Sequence, residues 1–413
     1  MDSESDSAAT KRNKLATFTS LKNPHYRWFW LGMFISFTAI NLQVVARNWL
    51  VYEMTDSQRA VGWVAFAYGL PILFLSLYGG AMAERVKKRT LLIWTQFGNG
   101  LIALVIAILI TTGDIQLWHL IVAAALTGIL FAFHIPARFS IIPELVQERD
   151  YMNAVALNST GWNLSVLLSS VGALLLPVID VEGVFWITVV SFFVSMALLF
   201  MLPVVAGVRQ GAGTSIWMEL VEGLRYIHQN TVLRSLLAVA FVCIVFGLPY
   251  GNLMPDFAKK VFDVGEVGYG FLLSAPAVGA LVVSLVVASL GDFRKKGTAV
   301  MTLAFFFGVG LILFAVSGNY YLALVFLVAV GGVSAGYFSL NNTLMQIIVP
   351  PTMLGRVMGV YVITLSFMSL GTLPLSYVAD AKDASLAIGL GGAAIALVAV
   401  AVMLLIPKVR RLQ

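Results

Sequence analysis

The chain has 413 residues, of which 60% are hydrophobic and 11% charged, with a mean hydropathy of +0.91 and a formal net charge of +6. Soluble domains carry about 25% charged residues, so a water-facing fold of this size is excluded and lipid must be the solvent for much of the chain. The one cysteine, Cys243, lies in an apolar run and leaves no disulfide framework or cysteine metal site to build.

In chain order, residues 1–24 are polar and hold no apolar core of the kind a cleaved signal peptide needs. Beyond them the apolar runs are long and unbroken, as in 101–110 and 393–406. A spanning helix needs about 20 apolar residues. Barrel strands would instead alternate in segments of about 10. Helices are therefore expected near 27–52, 60–80, 90–112, 117–135, 153–176, 184–204, 233–253, 268–290, 298–316, 320–348, 357–378 and 385–407.

Placing the N-terminus in the cytoplasm puts 21 Lys and Arg residues in cytoplasmic segments, Arg138 and Arg149 included, and 4 on the opposite side. That bias predicts an even number of spans with both termini inside, and it accounts for the basic balance without nucleic acid.

The chain also repeats itself. Glu84-Arg85-Val86-Lys87-Lys88 follows the second span, and Asp292-Phe293-Arg294-Lys295-Lys296 follows the eighth, 208 residues later. Val146 and Val349, 203 residues apart, open the connections into the fifth and eleventh spans. The organisation expected is a tail at 1–26, six helices over 27–204, a linker at 205–232, six helices over 233–407 and a tail at 408–413. Parallel repeats of this kind place a binding site between the halves. Within the linker, Ile216, Leu220, Leu224 and Ile227 form an apolar stripe at helical spacing, which suits a helix lying on the inner membrane surface.

Gly80-Ala81-Met82-Ala83-Glu84-Arg85-Val86-Lys87-Lys88-Arg89 resembles the signature loop of the major facilitator superfamily, with Glu84 where that loop usually has Asp and Lys87 where many members have Gly. Arg47–Thr55, Pro136-Ala137-Arg138 with Pro143–Val146, Asn153–Leu157 and Leu354–Gly359 are similar to its enterobactin-exporter-like and drug-efflux branch. Where many exporters carry a Gly-Pro pair in the fifth helix, this chain reads Ser169-Ser170-Val171-Gly172. The resemblance implies an all-α membrane protein of twelve helices in two parallel six-helix halves. It also implies a latch, in which the acidic residue of the loop docks at the start of the eleventh helix; the residues concerned are Gly80, Glu84, Arg85, Lys88, Gly355 and Arg356. The basic loop also serves as a topology signal.

Helices one, four, seven and ten, with the fifth close by, surround the central cavity in that family. Asn41 and Arg47 on the first span, Asn158 on the fifth, Asn252 on the seventh and Asn341 on the tenth are accordingly the candidate substrate contacts. Amides bind a ligand without the cost of burying a charge, although each Asn also serves as an interhelical hydrogen bond. Arg47 stands apart as a basic residue inside a span, free to meet an acidic group or to snorkel towards Glu53 and Asp56. His134 at the end of the fourth span reads as an interfacial anchor, and Tyr26, Trp28 and Trp30 as an aromatic belt.

No acidic residue falls near the middle of a span; the nearest are Glu53, Glu84, Asp256 and Asp380. There is no phosphate-binding glycine loop for ATP, no metal-ligand spacing and no nucleophile beside a base. The expectation is a non-enzymatic secondary transporter, a monomer in the inner membrane, with no cofactor or metal. It exports small amphipathic molecules, siderophore-like or drug-like, by alternating access, with protons as the coupling ion implied by the resemblance. An uptake or lipid-moving transporter of the same fold, and a membrane sensor, are the alternatives.

Overall fold

A computed structural model describes residues 19–172, 174, 176–203, 216–290 and 296–410. Twelve long helical segments run through it: α1 (Pro24–Thr55), α2 (Gln58–Arg85), α3 (Lys88–Thr111), α4 (Leu117–Leu145), α5 (Tyr151–Gly172), α6 (Leu176–Leu199), α7 (Thr231–Val261), α8 (Gly265–Leu290), α9 (Lys296–Ala315), α10 (Tyr320–Ile348), α11 (Pro351–Ala381) and α12 (Ala384–Leu405). Among the described residues, eleven are long and apolar enough to cross a membrane. The exception is α5, whose Asn153, Asn158, Asn163 and run of Ser and Thr residues lower its apolar content.

The internal repeat reappears as paired helix starts. Asn23 caps α1, its side chain accepting from His25 N at 2.9 Å, and Asn230 caps α7 by accepting from Val232 N and Leu233 N at 3.1 Å. Asn319 opens α10 in the same way, accepting from Leu322 N at 3.1 Å, whereas at the start of α4 Gln116 N donates to His119 Nδ1 at 3.0 Å. Each cap satisfies donors that the first helical turn leaves orphaned.

The helices run longer than the apolar windows suggest. The largest discrepancy is α4, expected to stop near 135 but continuing to Leu145 through Pro136 and Pro143. Its last ten residues therefore belong to the helix, and Arg138, counted above as a cytoplasmic loop cation, is 2% exposed inside it. Helix α7 is irregular for a reason written in its sequence. Pro249 and Pro255 remove backbone donors, and the chain answers with π-type turns at Cys243–Gly247 and Phe257–Val261 around a 3₁₀ stretch, Leu248–Leu253.

The linker stripe does form a helix, Ile216–Gln229, which leans on the start of α11. Ile227 is buried, whereas Leu224 stays exposed beside Met218 and Val221. A Cβ on Gly223 would lie 2.9 Å from the Arg356 carbonyl oxygen, so only glycine permits this approach. Residues 204–215, the repeat segment Asp292–Lys295 and the side chains of Glu84 and Arg85 lie outside the described residues.

Candidate functional site between the two halves

The two sets of six helices meet at the end opposite the basic loops. Three contacts between α1 and α7 join residues 204 positions apart. Asn48 Nδ2 donates to Asn252 Oδ1 at 2.9 Å, and the Tyr52 hydroxyl donates to Asp256. Lys260 Nζ donates to the Asp56 carbonyl at 3.3 Å. Positions 48, 52 and 56 repeat every four residues and so lie on one face of α1. Equal separations mean that the two segments run parallel and keep one register where they meet.

Further contacts complete the seam. Asp380 on α11 accepts from Gln58 N at 2.8 Å and from Ser57 Oγ at 2.9 Å, and its carboxylate lies 3.1 Å from Arg59 Nε. The Trp49 indole donates to Glu266 at 3.1 Å, and Tyr269 donates to the Val45 carbonyl at 3.2 Å. Deeper in, Ser274 donates to the Ser170 carbonyl at 3.0 Å. A cavity of about 260 Å³ reaches Asp256 and Asp380 from the surface beside Lys382 and Asp383.

At the basic-loop end the described side chains make no such bond between the halves. Among the described side chains, every hydrogen bond and ion pair between the two sets of six helices lies in the opposite half. A Cβ on Gly62 or Gly69 of α2 would press against Ser376 or Ser369 of α11, at 2.7 and 2.2 Å. One on Gly80, Gly355 or Gly359 would meet nothing within 4 Å. The close glycine contacts between α2 and α11 thus lie around Gly62 and Gly69, away from the basic loop.

The latch residues lie at the basic-loop end. Lys88 is held within the first half by Glu144 and by the Ser140 carbonyl at 3.0 Å. Arg356 pairs with Glu222 of the linker helix at 3.1 Å.

Of the five candidate substrate contacts, Asn41 is half-buried and donates to the Phe37 carbonyl at 2.8 Å. Asn252 is committed on both sides: its Oδ1 accepts from Asn48 across the seam at 2.9 Å, and its Nδ2 donates to Thr372 Oγ1 at 3.0 Å within the second half. Asn341 is fully buried with neither amide atom partnered. Asn158 is buried, and its Oδ1 accepts from Arg138 Nε at 3.1 Å and Nη2 at 2.9 Å. Arg47 is 5% exposed, its Nε has no hydrogen-bond partner, and its guanidinium lies 5.9 Å from the Tyr68 ring centre. It does not snorkel towards Glu53 or Asp56, because its helix turns that face inward against α2.

Two other sequence expectations change. His134 is 1% exposed rather than interfacial, because α4 continues eleven residues past it. The Thr95 hydroxyl donates to the Leu92 carbonyl at 2.8 Å, and its oxygen lies 2.9 Å from His134 Nδ1. Tyr26 and Trp30 are not a lipid-facing belt; they donate to the Ala154 and Leu157 carbonyls at 2.6 and 2.8 Å and pin α1 to α5. Sequence reasoning missed Arg138. Its two flanking prolines read as a loop, and the available signal was the helical spacing of His134 and Arg138, four apart.

A family model described as a transmembrane secretion effector matches residues 15–413. The staphyloferrin A transporter of Staphylococcus aureus is 24% identical over 86% of this chain and 89% of its own length. The multidrug efflux pump Tap of Mycolicibacterium fortuitum is 26% identical over 77% and 80%. The crystal structure of the nucleoside transporter NupG overlays with a TM-score of 0.71 at 12% identity, covering 92% of this chain and 98% of that one.

Proposed function

The chain belongs to the transmembrane secretion effectors of the major facilitator superfamily and is a multi-pass membrane transporter, and from that premise we propose that it is a secondary active exporter of small amphipathic molecules in the cytoplasmic membrane. The observation that carries this reading is the one-sided seam: the described bonds between the halves gather at one end. Such a molecule offers a site between its halves to one side of the membrane at a time. The excess of Lys and Arg assigns the end opposite the seam to the cytoplasm, so this state receives cargo from inside. Export to the other side then requires the α1–α7 contacts to open.

Asn41, half-buried here like Asn252, takes the first contact with cargo. Asn252 becomes available when its bond to Asn48 breaks. Arg47, Asn158 and Asn341 complete the set as the helices rearrange. The proton is the proposed coupling ion.

Everted membrane vesicles challenged with a compound panel, with and without a pH gradient, test the proposal. Gradient-dependent accumulation of amphipathic compounds is expected. No accumulation of any compound, or accumulation indifferent to the gradient, overturns export or its coupling respectively.

A further inference from the structure

Three charged side chains are buried among the described residues: Arg47, Arg138 and Asp256. The acid is engaged, by the Tyr52 hydroxyl and by Lys260 at 3.7 Å. Neither arginine has an ionic partner: no described carboxylate lies within 4.0 Å of either guanidinium, and Arg138 donates only to the neutral Asn158. A buried cation needs pairing, and an ionised side chain inside a span normally marks a ligand path or a relay. What surrounds these cations is aromatic and amide.

The two arginines close the ends of one continuous aromatic track. Arg47 faces Tyr68 at 5.9 Å, and Tyr68 meets Phe131 with ring centres 5.9 Å apart. Phe131 lies over His134 at 6.5 Å, and His134 meets the edge of Phe37 at 6.1 Å. Phe37 carries the Arg138 guanidinium at 3.8 Å, with Trp162 5.7 Å from that same guanidinium. Along α1, Phe37 and Arg47 are ten residues apart, which is about 15 Å of helix. The track therefore runs lengthwise inside the first half, on helices α1, α2, α4 and α5. Asn158 Nδ2, against Arg138, has no partner either, so the inner end presents further donor capacity and no acceptor charge.

From this we infer that the cargo is anionic: an aromatic or amphipathic compound bearing a carboxylate or another acidic oxygen, recognised by Arg47 and Arg138. This rests on the export reading above and narrows its cargo. Guanidinium forks match planar carboxylates and stack on rings, and both features recur along the track. A cationic drug would find Asp256 already engaged and two repelling charges.

The test is binding, not transport. Isothermal titration of the full-length protein in nanodiscs, with no gradient, uses two probes on one ring system: 2-naphthoate and 2-naphthylmethylammonium. Saturable binding of the carboxylate and none of the ammonium is expected. Arg47→Gln and Arg138→Gln should each weaken carboxylate binding at least tenfold. Size-exclusion chromatography checks the fold; if Arg138→Gln fails it, Arg138→Lys and Asn158→Ala take its place, with at least a threefold loss expected from each. Absence of carboxylate binding to the wild-type protein overturns the inference. So does ammonium binding of equal strength, or an unchanged carboxylate affinity in the arginine variants. Because no gradient is used, vesicles that fail to transport would sink the export reading and leave this result standing.

Discussion

At Gly69 a hydrogen is all that the seam tolerates, since a Cβ there would sit 2.2 Å from that of Ser369. Gly69→Val should wedge α2 from α11 and cost the seam-closed state about 1–3 kcal/mol, the usual scale of overpacking. Thiol labelling from outside at a cysteine placed at Ser376, buried in the seam, should then rise; labelling equal to that of the Gly69 parent would show that the contact yields. Asp180 poses the converse problem. Its φ of 54° and ψ of 173° lie where only glycine is comfortable. Asp180→Gly should raise unfolding free energy by about 1 kcal/mol in a detergent–denaturant titration, and a decrease would mean that the carboxylate has a stabilising role the exposed surface hides.

The linker helix is the element whose sequence says most about its place. Glycine at 223 lets its backbone approach Arg356, and Glu222 reaches the Arg356 side chain at 3.1 Å. The ion pair is half open to solvent and is worth under about 1 kcal/mol, so Glu222→Gln alone should change little. Gly223→Leu removes the close approach itself and should lift the helix from α11. Limited proteolysis near residue 215 should accelerate several-fold in Gly223→Leu and hardly at all in Glu222→Gln; the reverse ranking would make the ion pair the anchor. Helix α7 shows a related division of labour, since its irregular turns are fixed by Pro249 and Pro255 in the same stretch that carries Asn252, Asp256 and Lys260.

For the whole molecule, opening the far end means breaking the α1–α7 ladder and the Asp380 cluster together. The Tyr52–Asp256 contact is the buried rung, whereas Asp56 and Lys260 are exposed. Tyr52→Phe leaves a buried carboxylate short of a donor, a loss of about 1–3 kcal/mol. By population arithmetic that shifts the closed-to-open ratio by roughly 5- to 150-fold. Spin labels at Asp114 and Gly318, exposed on the two halves at that end, should report a new long-distance population in Tyr52→Phe. Asp56→Asn should do so far less, because an exposed pair contributes little. Identical distance distributions in both variants would place the lock elsewhere.

The membrane-spanning character and the helical class were fixed by the composition and the length of the apolar runs, because a lipid solvent leaves the backbone few alternatives. The doubled architecture was visible too, in the Glu84–Lys88 and Asp292–Lys296 segments 208 residues apart, and the structure adds the paired caps Asn23 and Asn230. The latch loop and the linker helix could be located by motif and by helical spacing. What one dimension could not give was which faces pair. Asn41 and Asn48 share a face of α1, yet one is half-open and the other spans the seam to Asn252. Arg138 read as a loop cation because proline and basic residues usually end a span, and only the packing of α4 against α1 and α5 encloses it. Burial belongs to the arrangement of twelve helices rather than to any segment. The tertiary structure alone therefore decided that two arginines lie inside the first half with no described carboxylate within 4.0 Å, and that the described bonds between the halves gather at one end.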